Sequence, residues 1–340
     1  MNKDYNIRSD LMIETLENLK PKKGIITDVK NIDNMKVTTV KVESEGVELI
    51  NKKEGKYITI EFEDASDSNM QENIEKLFVK ELKDLMTENN VKENDMCLIV
   101  GLGNDKSTPD SLGPAVIDNV LVTKHLFEIG DIAEGYREVS AVSPGVMGQT
   151  GIETSEIIKG IVKVVNPDFI IVIDSLAAGA ITRINKTIQM TDTGIHPGSG
   201  VGNSRKEISK EIINVPVIAI GVPTVVDAAT IVNDTLNSID NHFAITTENI
   251  NNPLFKLAPT NYISKFDENQ ELSEEKKEKL LGMIGLLDEE ARKSLIYEVL
   301  SSIEYNLMVT PKDIDFLIEK LSALISNGIN KSLHRQITYI

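Results

Sequence analysis

The stretch that most constrains this chain runs from Met96 to Pro114, M-C-L-I-V-G-L-G-N-D-K-S-T-P-D-S-L-G-P. Met96 to Val100 is a short apolar run that gives way to Gly101, Gly103 and Asn104, the pattern of a buried strand breaking into a loop at its carboxyl end. In open α/β sheets that edge is where ligands and catalytic groups collect. The loop carries Asp110 between Pro109 and an apolar segment that predicts a helix over 112–126. A second strand of the same kind, Phe169 to Ile173, ends on Asp174 and is followed by the small residues Ala177 to Ala180, against which another segment must pack. A third, Val215 to Ile220, ends in Gly221, Pro223 and Thr224 before Val226, Asp227 and Ala228. Three such strands, each followed by a helix-like segment, predict an α/β fold: a mostly parallel sheet flanked by helices.

The remaining elements follow from periodicity. Residues 1–10 are polar and aperiodic, the mark of a loose terminus. Leu11, Ile13, Leu16 and Leu19 recur at helical spacing up to Pro21. Lys36 to Val42 and Tyr57 to Phe62 read as added amino-terminal strands, and Ile74, Leu77, Phe78, Leu82 and Leu85 mark an amphipathic helix. Thr150 and Glu153 stand three apart before a predicted helix over 155–165, the spacing of a capping box, and a role in a catalytic site is equally open to them. The carboxyl-terminal region from residue 268 reads as a helical extension. In it Thr310, Pro311 and Asp313 look like a helix start, and Gly328 looks like its C-cap.

Composition excludes several classes. A formal net charge of −17 over 340 residues argues against a surface that reads phosphate backbones, so nucleic acid is set aside as a direct partner. The sequence holds neither a long apolar run nor a signal segment, so the expectation is a cytoplasmic protein with no membrane partner. The single cysteine, Cys97, lies inside a predicted strand as a small buried hydrophobe. Four scattered histidines lack metal-ligand spacing, and no metal or other cofactor is expected. Gly194 to Asn203, G-I-H-P-G-S-G-V-G-N, is an irregular loop long enough to line a pocket. It lacks the G-K-[ST] and dinucleotide fingerprints, which leaves nucleotide binding a minor alternative.

Chemistry then rests on the acids. Two carboxylates brought close cannot both ionise cheaply, so they share a proton. The ionised member can accept a proton from water while the protonated one donates to a leaving group. Asp110 and Asp174 suit this role if their loops converge, and each alone reads equally well as a cap or turn residue.

Seven blocks of the sequence carry a wider likeness: I-R-S-D-L at 7–11, G-L-G-N at 101–104, T-P-D-S-L-G-P at 108–114, P-G-V-M-G-Q-T-G-I-E-T at 144–154, I-D-S-L-A-A at 173–178, D-T-G-I-H-P-G-S-G-V-G-N at 192–203 and G-V-P-T-V-V-D-A at 221–228. In this order, and extended by N-L-M-V-T-P-K at 306–312, the chain resembles the germination proteases of spore-forming bacteria. The resemblance implies an endopeptidase, grouped with atypical aspartic peptidases, that begins hydrolysis of small acid-soluble spore proteins at germination. It implies a core like that of the hydrogenase maturation proteases, a homotetramer, and residence in the developing spore and spore core. It further implies synthesis during sporulation as a zymogen that removes its own propeptide. The family's proposed catalytic aspartates correspond to Asp110 and Asp174, and its processing bond to Asp10–Leu11, which makes 1–10 the propeptide and 11–340 a single α/β peptidase domain. His196 and Glu153 are the candidate supporting residues. Ser9 stands where the family usually has Thr, and Met12 where it usually has Ala. A metal-dependent maturation-type protease using Asp110, Asp174 and His196, and a non-catalytic nucleotide-binding α/β protein, are the competing expectations.

Overall fold

The computed structural model describes residues 9–17, 23–130, 132–198, 205–249, 273–302 and 307–337. Two compact units divide the chain.

The larger unit comprises residues 7–226 and 310–340 and is built on one sheet. Its strands are β1 (Ile25–Ile32), β2 (Met35–Val42), β3 (Gly55–Glu61), β4 (Cys97–Gly101), β5 (Val139–Val142), β6 (Phe169–Ala178), β7 (Thr187–Thr191) and β8 (Val217–Asp227). They run in the order β1-β2-β3-β7-β8-β6-β4-β5. The three predicted apolar strands form the parallel part: β4 pairs with β5 and β6, and β6 with β8. The other half is antiparallel, through β1-β2, β2-β3, β3-β7 and β7-β8. The expected mostly parallel sheet is therefore mixed. Part of its antiparallel share comes from short connections, β1 to β2 to β3, because a hairpin needs only a tight turn whereas a parallel pair needs a crossover; β7, distant in sequence from β3, joins the two halves. Asp33 and Asn34, both with positive φ (48° and 63°), form such a turn between β1 and β2. Strand β1 escapes sequence reading because it is an edge strand exposed along nearly its whole length and shows no apolar alternation.

The helices of this unit are α1 (Met12–Glu17), α2 (Ser44–Ile50), α3 (Ser68–Glu88), α4 (Leu112–Ile117), α5 (Lys124–Ile129), α6 (Met147–Thr150), α7 (Thr154–Val165) and α8 (Lys210–Ile213), with a long carboxyl-terminal helix given below. Alternation along the central strands assigns the two faces. Ile99, Ile171, Ile173, Ile188, Ile220 and Val222 meet Phe78, Leu82, Leu112 and Leu321 in the main core. Ile170, Val172 and Val217 meet Ile158, Val162 and Ile213 on the opposite face. Burying each such side chain contributes roughly 1.5–3 kcal/mol, so the sheet is rigid where the two acids are attached.

Several expectations are corrected. The single helix predicted over 112–126 is two, α4 and α5. Asn119 turns its side-chain amide onto the carbonyl of Ala115, and Thr123 instead pairs with Val139 at the start of β5. The predicted strands 169–173 and 215–220 run on to Ala178 and Asp227, with a register shift between Leu176 and Ala177 that accommodates the sequence past Pro223.

In the smaller unit, residues 227–309, α9 (Ala228–Asn249) packs on α11 (Glu289–Ser302), and α10 (Glu274–Leu281) lies between them in chain order. Buried Arg292 donates from Nε to Asn233 Oδ1 at 2.9 Å and also bonds Asn237. The last helix, α12 (Ile314–Leu333), belongs to the larger unit and contains Gly328 in its interior, where a C-cap was expected. A Cβ at Gly328 would lie 2.4 Å from Cδ1 of Phe78 on α3, so the glycine serves close approach between helices. Thr310, expected as the N-cap, donates its hydroxyl to the carbonyl of Thr224 on β8 at 2.8 Å.

Candidate active site

Asp110 is delivered by a single 3-10 turn, Thr108–Asp110, between β4 and α4. Its amide donates to Ser107 O at 2.7 Å, its carbonyl accepts from Asn104 N at 2.8 Å, and Thr224 donates its hydroxyl to Pro109 O at 2.6 Å. Two glycines let the turn sit this close. Gly103 has φ +115°, and a Cβ there would stand 2.0 Å from the Asp110 carbonyl oxygen. A Cβ on Gly101 would meet Gly113 O at 2.3 Å, so strand and helix touch backbone to backbone.

Asp174 lies within β6, buried at 5% exposure, with its Oδ1 accepting from Ser175 N at 2.9 Å. The Thr108–Asp110 turn lies against β6, the strand that carries Asp174, and the charge on Asp110 raises the pKa of Asp174. Burial is the leading cause of a strong upward shift at Asp174, followed by Asp110 and then Asp10. Asp110 is raised to about 6, again by burial, while Arg205 and a backbone hydrogen bond from Asn104 pull in the opposite direction. Burial and two nearby carboxylates favour the protonated form of Asp174, while Arg205 offsets part of the effect of burial at Asp110.

The amino-terminal segment occupies the same face. Asp10 N donates to Ala177 O at 3.1 Å, and Ala177 N donates to Asp10 Oδ2 at 2.9 Å. This segment is what rests against the small residues at the end of β6. Leu11 is fully buried with Ile13 and Leu176, and Ile195 packs against the three. Glu14 ion-pairs with Arg183 at 2.9 Å and accepts from Gly179 N at 2.7 Å. Part-buried Lys52 faces Asp10 and Glu14; burial lowers its pKa, and their charges oppose that shift. Gln189 on β7 spans the segment: its Nε2 donates to Asp10 O at 3.3 Å and its Oε1 accepts from Met12 N at 2.6 Å.

The supporting residues fall elsewhere. His196 is 56% exposed at its side chain and meets Glu207, with Nε2 3.4 Å from Oε2; Glu207 in turn pairs with Lys53. Glu153 caps no helix through its side chain, since Thr150 bonds to Val146 O and to the backbone of Ile152. Its Oε1 accepts from Lys206 N at 3.1 Å, so it holds the residue after Arg205. Sequence reading missed Arg205 and Gln189. The signal for Arg205 was its place as the first cation after the glycine-rich loop; Gln189 left none, because a glutamine in a strand looks like any polar outward residue. Residues 199–204 of that loop and residues 1–8 lie outside the described residues. Among the described residues no group of three or more His, Cys, Asp or Glu side chains is arranged to hold a metal ion, and no helix is long and apolar enough to cross a membrane.

An α/β sheet with one carboxyl group within a parallel strand and a second on the turn that follows the neighbouring strand defines a candidate hydrolase, and comparison with known proteins makes the class a peptidase. The model of the germination protease family matches residues 5–339, and the chain belongs to that family. Germination proteases of Geobacillus sp. (strain WCH70), Priestia megaterium (strain ATCC 12872 / QMB1551) and Bacillus subtilis (strain 168) are each 46% identical to it over 353, 352 and 352 residues, covering 98% of this chain and 95% of theirs. Among solved structures, a [NiFe] hydrogenase maturation protease, HycI from Thermococcus kodakarensis KOD1, matches 42% of this chain and 80% of its own at 19% identity and TM-score 0.28.

Proposed function

We propose that this peptidase is the endopeptidase that starts breakdown of small acid-soluble spore proteins in the spore core, made during sporulation as a homotetrameric zymogen that cuts its own Asp10–Leu11 bond. One observation carries the reading: Asp10 is bonded twice to Ala177, three residues beyond Asp174 on β6, which supports a processing junction beside the acid pair, and the charges of Asp10 and Asp110 both raise the pKa of Asp174.

Catalysis uses the difference between the two acids. Ionised Asp110 takes a proton from water as the water oxygen bonds to the peptide carbonyl carbon. Protonated Asp174 passes its proton to the departing amide nitrogen as the C–N bond breaks, leaving an acid and an amine. The proton now on Asp110 returns to Asp174 through solvent, and the pair is reset. Full burial of Leu11 and the bond from the Ala177 amide to the Asp10 carboxylate favour an acidic residue before the cut bond and an apolar one after it.

The test is intact-mass analysis of the full chain before and after mild acid treatment, with and without a chelator, beside Asp110→Asn and Asp174→Asn. Loss of residues 1–10 from the wild type and from neither variant supports the reading. Processing that persists in folded variants, or that stops with the chelator, overturns it.

A further inference from the structure

Gln189 is buried, stands on β7, and uses both ends of its amide on the segment that crosses the sheet. Its partners decide its orientation. An amide N–H, that of Met12, can only donate, so it must meet Oε1; a carbonyl, that of Asp10, can only accept, so it must meet Nε2. A flipped amide would lose both bonds, and the donor is therefore held pointing at the Asp10 carbonyl oxygen.

The sheet register sets this donor opposite the acid. Gln189 pairs with Gly221 on β8, and Gly221 pairs with Asp174 on β6. Residues paired in register point to one face, so Gln189 and Asp174 look the same way from either side of a residue without a side chain. Two inter-strand spacings separate their Cα atoms by about 10 Å; the Leu176 side chain lies over Gly221, 2.4 Å from where a Cβ would stand, and Leu11 packs on it, which seats the Asp10–Leu11 peptide along this row.

We propose that Gln189 is a catalytic residue of this site, the hydrogen-bond donor that polarises the carbonyl under attack in the chain's own Asp10–Leu11 peptide and in substrates. As water adds, the carbonyl π electrons move onto oxygen, and the Nε2–H bond strengthens toward that growing charge. Gln189 gives up no proton; when the C–N bond breaks the electrons return to the carbonyl and the bond weakens again. Such a donor accelerates the step because it binds the charged oxygen better than the neutral one. The inference rests on the reading that Asp10–Leu11 is the bond cut.

The experiment measures kcat and KM on a synthetic peptide of residues 5–17 of this chain, with every protein first brought to its processed form, residues 11–340, by the processed wild type where it does not cut itself. Wild type, Gln189→Glu and Gln189→Met are compared between pH 5 and 7.5, with thermal midpoints as the folding control. Loss of one such donor lowers kcat by about 10²–10³-fold, with KM changed little. For Gln189→Glu the deficit relative to wild type shrinks tenfold or more on acidification, because a protonated carboxyl regains an O–H donor; Gln189→Met shows no such recovery. If Gln189→Met does not fold, the pH recovery within Gln189→Glu carries the test by itself. A raised KM with unchanged kcat, or a pH-independent deficit in Gln189→Glu, overturns the proposal and leaves Gln189 a clamp on the segment. If the wild type cuts neither itself nor the peptide, the underlying reading fails, and that is visible before any variant is compared.

Discussion

Asp10 and Ala177 are bonded to each other twice, once backbone to backbone and once from the Ala177 amide to the Asp10 carboxylate. The pairing keeps a negative charge beside Asp174, three residues earlier on the same strand, and helps hold that acid protonated. Asp10→Asn removes the charge, so the Asp174 pKa falls. The alkaline limb of the self-cleavage profile, where the pair loses its shared proton, moves to lower pH. Rates of mass loss measured from pH 4 to 8 for both chains check this; an unmoved limb means the Asp10 charge is not felt at the acid.

Arg205 acts in the opposite sense, on Asp110 and, as the last of several influences, on Asp174. Its charge lowers the pKa of Asp110 against the upward pull of burial. In Arg205→Gln the pKa of Asp110 rises above about 6, fewer molecules hold the base ionised at neutral pH, and the acid limb of peptide cleavage shifts upward. Arg205→Lys restores part of the shift. The pH–rate profiles of the three proteins are the measurement.

Both aspartates also cost stability at neutral pH. A carboxyl whose folded pKa is raised binds protons more tightly when folded, so its contribution is fully present below the unfolded pKa and is lost as pH rises through the folded one. For Asp110 that window runs from 3.8 to about 6. Asp110→Asn removes a term of about 1–3 kcal/mol and Asp174→Asn another of the same sign. Both variants are expected to melt a few degrees higher than wild type at pH 7.5 and to lose the advantage near pH 4. Calorimetry at the two pH values gives the comparison.

Gly328 makes a purely structural prediction. Its missing side chain admits the Phe78 ring, whose Cδ1 and Cε1 stand 2.4 Å and 2.7 Å from a built Cβ. Gly328→Ala gains helix propensity but must push back a fully buried ring, and overpacking of this kind costs about 1–3 kcal/mol. Urea unfolding should show a lower midpoint with an unchanged slope. A more stable variant would mean that α3 and α12 have room to part.

Local pattern was enough for β4, β6 and β8, though not for the short β5 beside them, because apolar strands that break into glycine and acid announce both their burial and the edge at which they end. Asp110 and Asp174 were legible for that reason, as was the need for something to cover Ala177 to Ala180. The antiparallel half was legible in β2 and β3, rich in Val, Ile and Thr, and not in β1, which has no buried side to mark, nor in β7. Gly328 looked like a helix end because its neighbours in sequence say nothing of Phe78, some two hundred and fifty residues away. Gln189, Arg205 and the seating of Asp10 depend on which strands become neighbours and in what register. Those are decided by long-range pairing and packing, so only the folded sheet could align Gln189, Gly221 and Asp174 in one row.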